Sequence, residues 1–273
     1  MPKIVDIIDH FLIDLDGIVY IDSKLVKGSK SSLRKLRKLN KTIKFITNDP
    51  RKSTTQYVKK LNNLGIDARK DEVVTSSSAI AFHIKNNFSN LNYKTAYVIG
   101  SLNLKNEIKN LGITLLKGDD AKNASFVIFG GHPKFHYNEI KTACLAIMNG
   151  AKFFATSRDP SYPSEEGHLP ATGALLSSVE IASNTKAIVA GKPEGLIFKL
   201  ALSEGKEFPM NRIAIIGDRL NTDILGGKKA GIKTILSLSG STNKKELETS
   251  TIKPDFVIDD LRGLFMESIQ FGG

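Results

Sequence analysis

The sequence predicts an α/β protein, a doubly wound parallel-sheet core interrupted by a smaller α/β insertion. Three observations predict it. Short apolar, β-rich runs alternate with stretches of helical length along the whole chain. Polar residues, many of them aspartate, stand directly after several of the apolar runs. The alternation also falls into three parts, because a middle segment carries strands and helices of its own between two terminal series.

The first series opens with "FLIDL" (11–15) and a basic helix over 29–39. "TIKFIT" (42–47), a helix over 53–64, "EVVTS" (72–76) and a helix over 77–87 complete it. The middle segment contains "TAYVIG" (95–100), a helix near 102–111, "ASFVIFGG" (124–131), a helix over 137–149 and "KFFATS" (152–157). It ends in a polar, Pro-rich loop, "SRDPSYPSEEGHLPATG" (157–173), and one more helix. The last series runs through "AIVAG" (187–191), a helix over 194–204, "IAIIG" (213–217), a helix near 221–230, "KTILSLS" (233–239) and "DFVIDD" (255–260). The expected organisation is a core from residues 1–90 and 186–273, with the inserted domain at 91–185.

Composition narrows the function. At 273 residues with 41% hydrophobic and 25% charged side chains, the chain has an ordinary globular make-up. No apolar stretch approaches the ~20 residues of a membrane-spanning helix, so no membrane partner is expected. The opening "MPKIVDIIDHFLIDLDG" places acids inside its apolar part and does not read as a signal peptide. Cys144 is the single cysteine, which excludes an intramolecular disulfide and suits a cytoplasmic location. The net charge of +11 gathers partly in "KGSKSSLRKLRKLNKTIK" (27–44). Leu33, Leu36 and Leu39 recur there at helical spacing, so the stretch reads as a solvated helix and no nucleic-acid partner is expected. A positive surface still concentrates small anionic substrates.

In open parallel sheets, ligands bind outside the carboxyl ends of the strands. Those positions here carry Asp14, Leu15, Asp16 and Gly17, then Thr47 and Asn48, then Gly191 and Lys192, and finally Gly217, Asp218 and, slightly later, Asp223. Buried acids need a partner. Asp14, Asp16 and Asp218 suit Mg²⁺, a hard ion with oxygen ligands. Positions 14 and 16 face one way along an extended chain, although Asp16 can also offer its backbone carbonyl once the chain turns. Lys192 brings the compensating charge, Thr47 and Asn48 bring hydrogen bonds, and the N–H groups of Leu15, Asp16 and Gly17 can cradle oxygens.

The phrases "DLDG", "ITN", "GKP" and "GDRLNTD", in this order, resemble the four motifs of the haloacid dehalogenase (HAD) superfamily. The insertion, with "YVIG", "FVIFG", "FFATS" and "ATGAL", resembles the class-two cap of its nitrophenylphosphatase-like, NagD-like group. The resemblance implies a Rossmann-like core and a Mg²⁺-dependent phosphatase for small phosphate monoesters of the sugar phosphate, nucleotide or p-nitrophenyl phosphate type. It implies Asp14 as nucleophile forming an aspartyl phosphate, Asp16 as general acid and base, and Lys192 as a catalytic cation. Leu15, Thr47, Asn48 and Lys192 are implied to bind the phosphoryl group. Asp14, Asp16 and Asp218 are implied to hold the metal, with Asp223 orienting from behind. Relatives of this kind also allow a homodimer. Asp49 departs from the amide common after the Thr-Asn pair and is expected to point away from the phosphate. Arg158, Asp159 and Tyr162 are the cap candidates for substrate selection, Asp159 and Tyr162 above all. The competing function is a catalytically silent or regulatory metabolite-binding module on the same fold.

Other signals read as structural. Asp6, Asp9 and His10 are expected at the surface ahead of the first core strand. Pro133 between His132 and His136 argues against one helical metal-binding face. Cys144, inside "IKTACLAIM", is expected as a small buried hydrophobe.

Overall fold

A computed structural model of the chain describes residues 2–164, 166–203 and 207–267. It divides into two compact units, one of residues 1–47, 54–74 and 192–273 and the other of 48–53 and 75–191.

The first unit is built on a six-stranded sheet. Its order is Phe256–Ile258, Lys233–Ser237, Ile213–Gly217, His10–Asp14, Thr42–Thr47 and Val73–Thr75. The four neighbouring pairs from Phe256–Ile258 across to Thr42–Thr47 are parallel. Strands of such a sheet are covered on both faces, which is why "FLI" and "IAII" are apolar without alternation. Phe11, Leu12, Ile13 and all of 213–216 are accordingly buried. Helix Ser29–Lys38 buries Leu33 and Leu36 and leaves its lysines exposed. Register sets the chemistry: Ile13 pairs with Ile216 and Asp14 with Ile46, so Asp14, Gly217 and Thr47 end three adjacent strands at one edge.

The second unit has its own five-stranded parallel sheet, in the order Ile188–Val189, Lys152–Ala155, Phe126–Phe129, Thr95–Ile99 and Thr114–Leu115. Helices Tyr137–Met148 and Thr172–Ser183 pack on it through Ala143, Ala146, Ile147, Leu176 and Val179.

Three expectations are corrected. "AIVA" was expected to end on the core sheet, but Ile188 and Val189 pair with Phe154 and Ala155 of the second sheet. Apolar periodicity identifies a strand without naming the neighbour it joins. The polar loop at 157–173 also contains a hairpin, Ser161–Ser164 with Gly167–Pro170, which its prolines and charges disguise. His10 is buried rather than at the surface, Asp6 is exposed, and Asp9 is half-buried in ion pairs with Lys41 and Arg212. Cys144 is buried, and its thiol lies 3.8 Å from the carbonyl of Val179. Among the described residues, no helix is long and apolar enough to cross a membrane.

Candidate active site

Asp14 is the last residue of its strand, and the chain turns immediately after it. The N–H of Leu15 donates to Asp14 Oδ1 at 2.9 Å, and Gly17 N–H donates to the Tyr20 carbonyl at 2.8 Å. This turn needs Gly17, which sits at φ +81°, where a Cβ would also lie 2.5 Å from Asp218 Oδ2. The winding leaves Leu15 buried and Asp16 exposed.

The strand Ile213–Gly217 delivers the other two acids. After it the chain enters a single π-type turn, Leu220–Ile224, in which the Arg219 N–H donates to Asp223 Oδ2 at 3.1 Å. Asp223 folds back over Gly217, and a Cβ there would sit 2.1 Å from its Cγ. Asp218 accepts the Ser241 N–H at 2.6 Å. One carboxylate oxygen from each of Asp14, Asp218 and Asp223 lies within 4.8 Å of the other two, and among the described residues this is the one such group of potential metal ligands. Lys192 enters this group with Nζ 2.7 Å from Asp14 Oδ1 and 2.7 Å from Asp223 Oδ1.

The electrostatics follow from burial. Desolvation, then repulsion from Asp223 and Asp218, raises the Asp14 carboxyl well above the ordinary range, with Lys192 opposing. Desolvation and Asp223 raise Asp218, against the Ser241 N–H. Burial disfavours charge on Lys192, but Asp14 and Asp223 outweigh it and raise its pKa, so the ammonium persists. Three acids against one ammonium leave the cluster short of positive charge. A hard divalent cation with oxygen ligands matches that donor set, so the residues fit the ion.

The structure therefore brings together Asp14, Lys192, Asp218 and Asp223, with Thr47 buried at the end of the neighbouring strand. The Asp16 side chain is not in the carboxylate group, which leaves its backbone carbonyl as the route to a metal noted from the sequence. Sequence reasoning missed the loop after Lys233–Ser237. There Ser239 Oγ donates to the Gly17 carbonyl at 2.7 Å, and Gly240 lies so close that a Cβ would be 2.1 Å from Asp218 Oδ2. Its signal was present, since "SLSGST" is one more polar, glycine-containing segment after an apolar strand.

Asn48 belongs to the second unit with Asp159 and Tyr162. Its Nδ2 donates to Asp159 Oδ2 at 3.0 Å. Asp49 is engaged by Arg51, whose guanidinium also lies 5.8 Å from the ring centre of Tyr162. Arg158 is turned to the buried Glu180, with two contacts of 2.7 and 2.8 Å. His132 Nε2 lies within hydrogen-bond distance of Glu139 Oε1 at 2.9 Å, while His136 donates its backbone N–H to Glu139 Oε2 at 3.3 Å and holds its ring 3.8 Å away.

Comparison with known proteins places this arrangement. The profile of haloacid dehalogenase-like hydrolases matches residues 11–114, and a HAD-hydrolase-like profile matches 189–264. An acid sugar phosphatase of Staphylococcus saprophyticus is 34% identical over 257 residues, covering 94% of this chain and 96% of that protein. The chain belongs to the haloacid dehalogenase-like hydrolases. Within them it is similar to the 4-nitrophenylphosphatase of Thermotoga maritima, with a TM-score of 0.85 and 34% identity over 96% of this chain and 98% of that one. A glycerol phosphate phosphatase of Mycobacterium tuberculosis, solved in complex with magnesium, gives a TM-score of 0.85 and 27% identity over 97% of this chain and 78% of that one. This HAD hydrolase is a phosphoric monoester hydrolase, a phosphatase of the NagD-like kind.

Proposed function

We propose that this HAD phosphatase is Mg²⁺-dependent, hydrolyses small phosphate monoesters such as sugar phosphates, and works through an aspartyl phosphate on Asp14. The observation that carries the reading is the group of Asp14, Asp218 and Asp223 gathered around the Nζ of Lys192. The acid sugar phosphatase, the 4-nitrophenylphosphatase and the magnesium-bound glycerol phosphate phosphatase support it by similarity.

Asp14, Asp218 and the backbone carbonyl of Asp16 would hold Mg²⁺, with Asp223 steadying Lys192 and the acids from behind. The bound ion would supply charge neutralisation, drawing the phosphoryl group against a carboxylate that would otherwise repel it. The Asp14 carboxylate attacks phosphorus while the ester oxygen departs with a proton from Asp16. Asp16, now a carboxylate, takes a proton from water, which attacks the acyl phosphate and regenerates Asp14. Lys192 and the N–H of Leu15 lie against the carboxylate that carries the phosphoryl group, and Thr47 with Asn48 receives its oxygens. The insertion expected at 91–185 selects the leaving group, with Tyr162 as the contact.

The test is a screen of phosphorylated metabolites and p-nitrophenyl phosphate, with and without Mg²⁺. Turnover should require Mg²⁺ and vanish in Asp14→Asn at an unchanged melting temperature. Activity near the parent level in that variant would remove Asp14 as nucleophile.

A further inference from the structure

The loop that follows Thr47, residues 48–53, is held by its neighbours in the second unit at several successive points. Ser76 Oγ donates to the Asn48 carbonyl at 2.7 Å. The Pro50 carbonyl accepts from Ser101 Oγ at 3.0 Å and from Ser77 Oγ at 3.3 Å. Asn103 Nδ2 reaches the Lys52 carbonyl at 3.1 Å. Asp49 is satisfied inside the loop by the N–H and guanidinium of Arg51. The Asn48 side chain is fixed as well. Its Nδ2 donates to Asp159 Oδ2, and its Oδ1 is pressed against Gly191, where a Cβ would lie 2.6 Å away.

Asp159 reaches Asn48 from a rigid frame. Its own carbonyl accepts the Gly173 N–H at 2.8 Å. Gly173 is required there, because a Cβ would lie 2.3 Å from the Arg158 carbonyl. Arg158 is in turn tied to Glu180. A carboxylate accepting from an amide makes a stronger hydrogen bond than a neutral acceptor does. The acid first expected to meet the leaving group is thus built into the support of Asn48.

We infer that Asp159 is a positioning residue, whose carboxylate holds the Asn48 amide and so fixes the main chain running from Thr47 into the loop 48–53. The inference rests on the reading of Thr47 and Asn48 as phosphoryl contacts. Groups set in advance of the reaction need no rearrangement during it, so loosening them slows every substrate alike. Discrimination between leaving groups is therefore not a property of Asp159.

The test compares Asp159→Ala, Asp159→Asn, Asn48→Ala and the double alanine variant. It reads kcat/KM for p-nitrophenyl phosphate and for a sugar phosphate, and the binding of inorganic phosphate by calorimetry. Removing the carboxylate to which the Asn48 amide donates should cost about tenfold in kcat/KM and in phosphate affinity. The factor should be the same for both substrates. Asp159→Asn, which keeps an acceptor oxygen, should restore most of the loss, and the double variant should be no worse than Asn48→Ala alone. The proposal is overturned by a parent-like Asp159→Ala, by an Asp159→Asn as impaired as the alanine, by a factor that differs between substrates, or by additive losses. A parent protein without turnover would sink the phosphatase reading alone, because the calorimetric series still decides whether Asp159 sets the phosphate site.

Discussion

The Nζ of Lys192 lies 2.7 Å from Oδ1 of Asp14. The same atom is 2.7 Å from Asp223, and the lysine is almost wholly buried. Removing one member of a buried charge group leaves the others uncompensated. Lys192→Met should therefore reduce kcat by about 10² to 10³-fold, the scale of losing one preorganised stabiliser of developing charge. It should also lower stability by about 3 kcal/mol in the absence of Mg²⁺. Steady-state turnover and urea unfolding in chelator read the two effects, and a variant unaffected in both would separate Lys192 from the acids.

Gly240 makes a different prediction, since it touches no substrate in the proposed reaction. Its Cβ position is 2.1 Å from Asp218 Oδ2, and Asp218 has no slack because Ser241 N–H holds the same oxygen. Gly240→Ala should displace this carboxylate and raise the Mg²⁺ concentration for half-maximal activity by about tenfold, as loss of a metal ligand's support commonly does. Saturating Mg²⁺ should recover most of the activity. An unchanged Mg²⁺ titration would mean that Asp218 does not serve the metal.

Glu180 carries the frame of the Arg158–Asp159 segment. It is 3% exposed, yet its carboxyl is held at about 2: burial acts against ionisation, and Arg158, the Ala187 N–H and Lys186 overcome it. A carboxylate whose pKa is depressed on folding stabilises the protein above the unfolded value of 4.5, and the gain fades as pH falls from there toward 2. Glu180→Gln should cost about 3 kcal/mol at neutral pH, and the difference from the parent should narrow below pH 4.5. Urea unfolding at pH 7 and at pH 4 measures it. A constant difference would mean that packing, rather than charge, accounts for the loss.

The core acids were legible because chemistry and topology constrain the same positions. A parallel sheet puts strand ends together, and Asp14 ends one apolar strand while Asp218 directly follows its neighbour, in a register the structure aligns. Lys192 was legible by motif but not by sheet, since the strand before it joins Phe154 and Ala155. The role of Asp159 was hidden for another reason. Its partner Asn48 is 111 residues away, and no local pattern encodes a contact made by two loops. The hairpin 161–170 was hidden by Pro163 and Pro170, which weaken a strand signal without forbidding an isolated two-stranded ribbon.

His10 leads to the last prediction. It lies in the first core strand, its Nε2 is buried with no hydrogen-bond partner among the described residues, and its ring packs 5.4 Å from that of Phe208. Desolvation and then the charge of Lys44 lower its pKa from 6.5 to about 4. The unfolded chain therefore takes up this proton first as pH falls, which favours unfolding. The stability due to a neutral His10 is fully present above pH 6.5, declines between 6.5 and about 4, and changes no further below that. The window is worth up to about 3 kcal/mol. His10→Leu, which keeps an apolar side chain against Phe208, should remove this part of the acid sensitivity. Unfolding free energies at pH 7, 5.5 and 4.5 should fall less steeply in the variant than in the parent, and parallel curves would show that His10 titrates in the folded protein as it does in water.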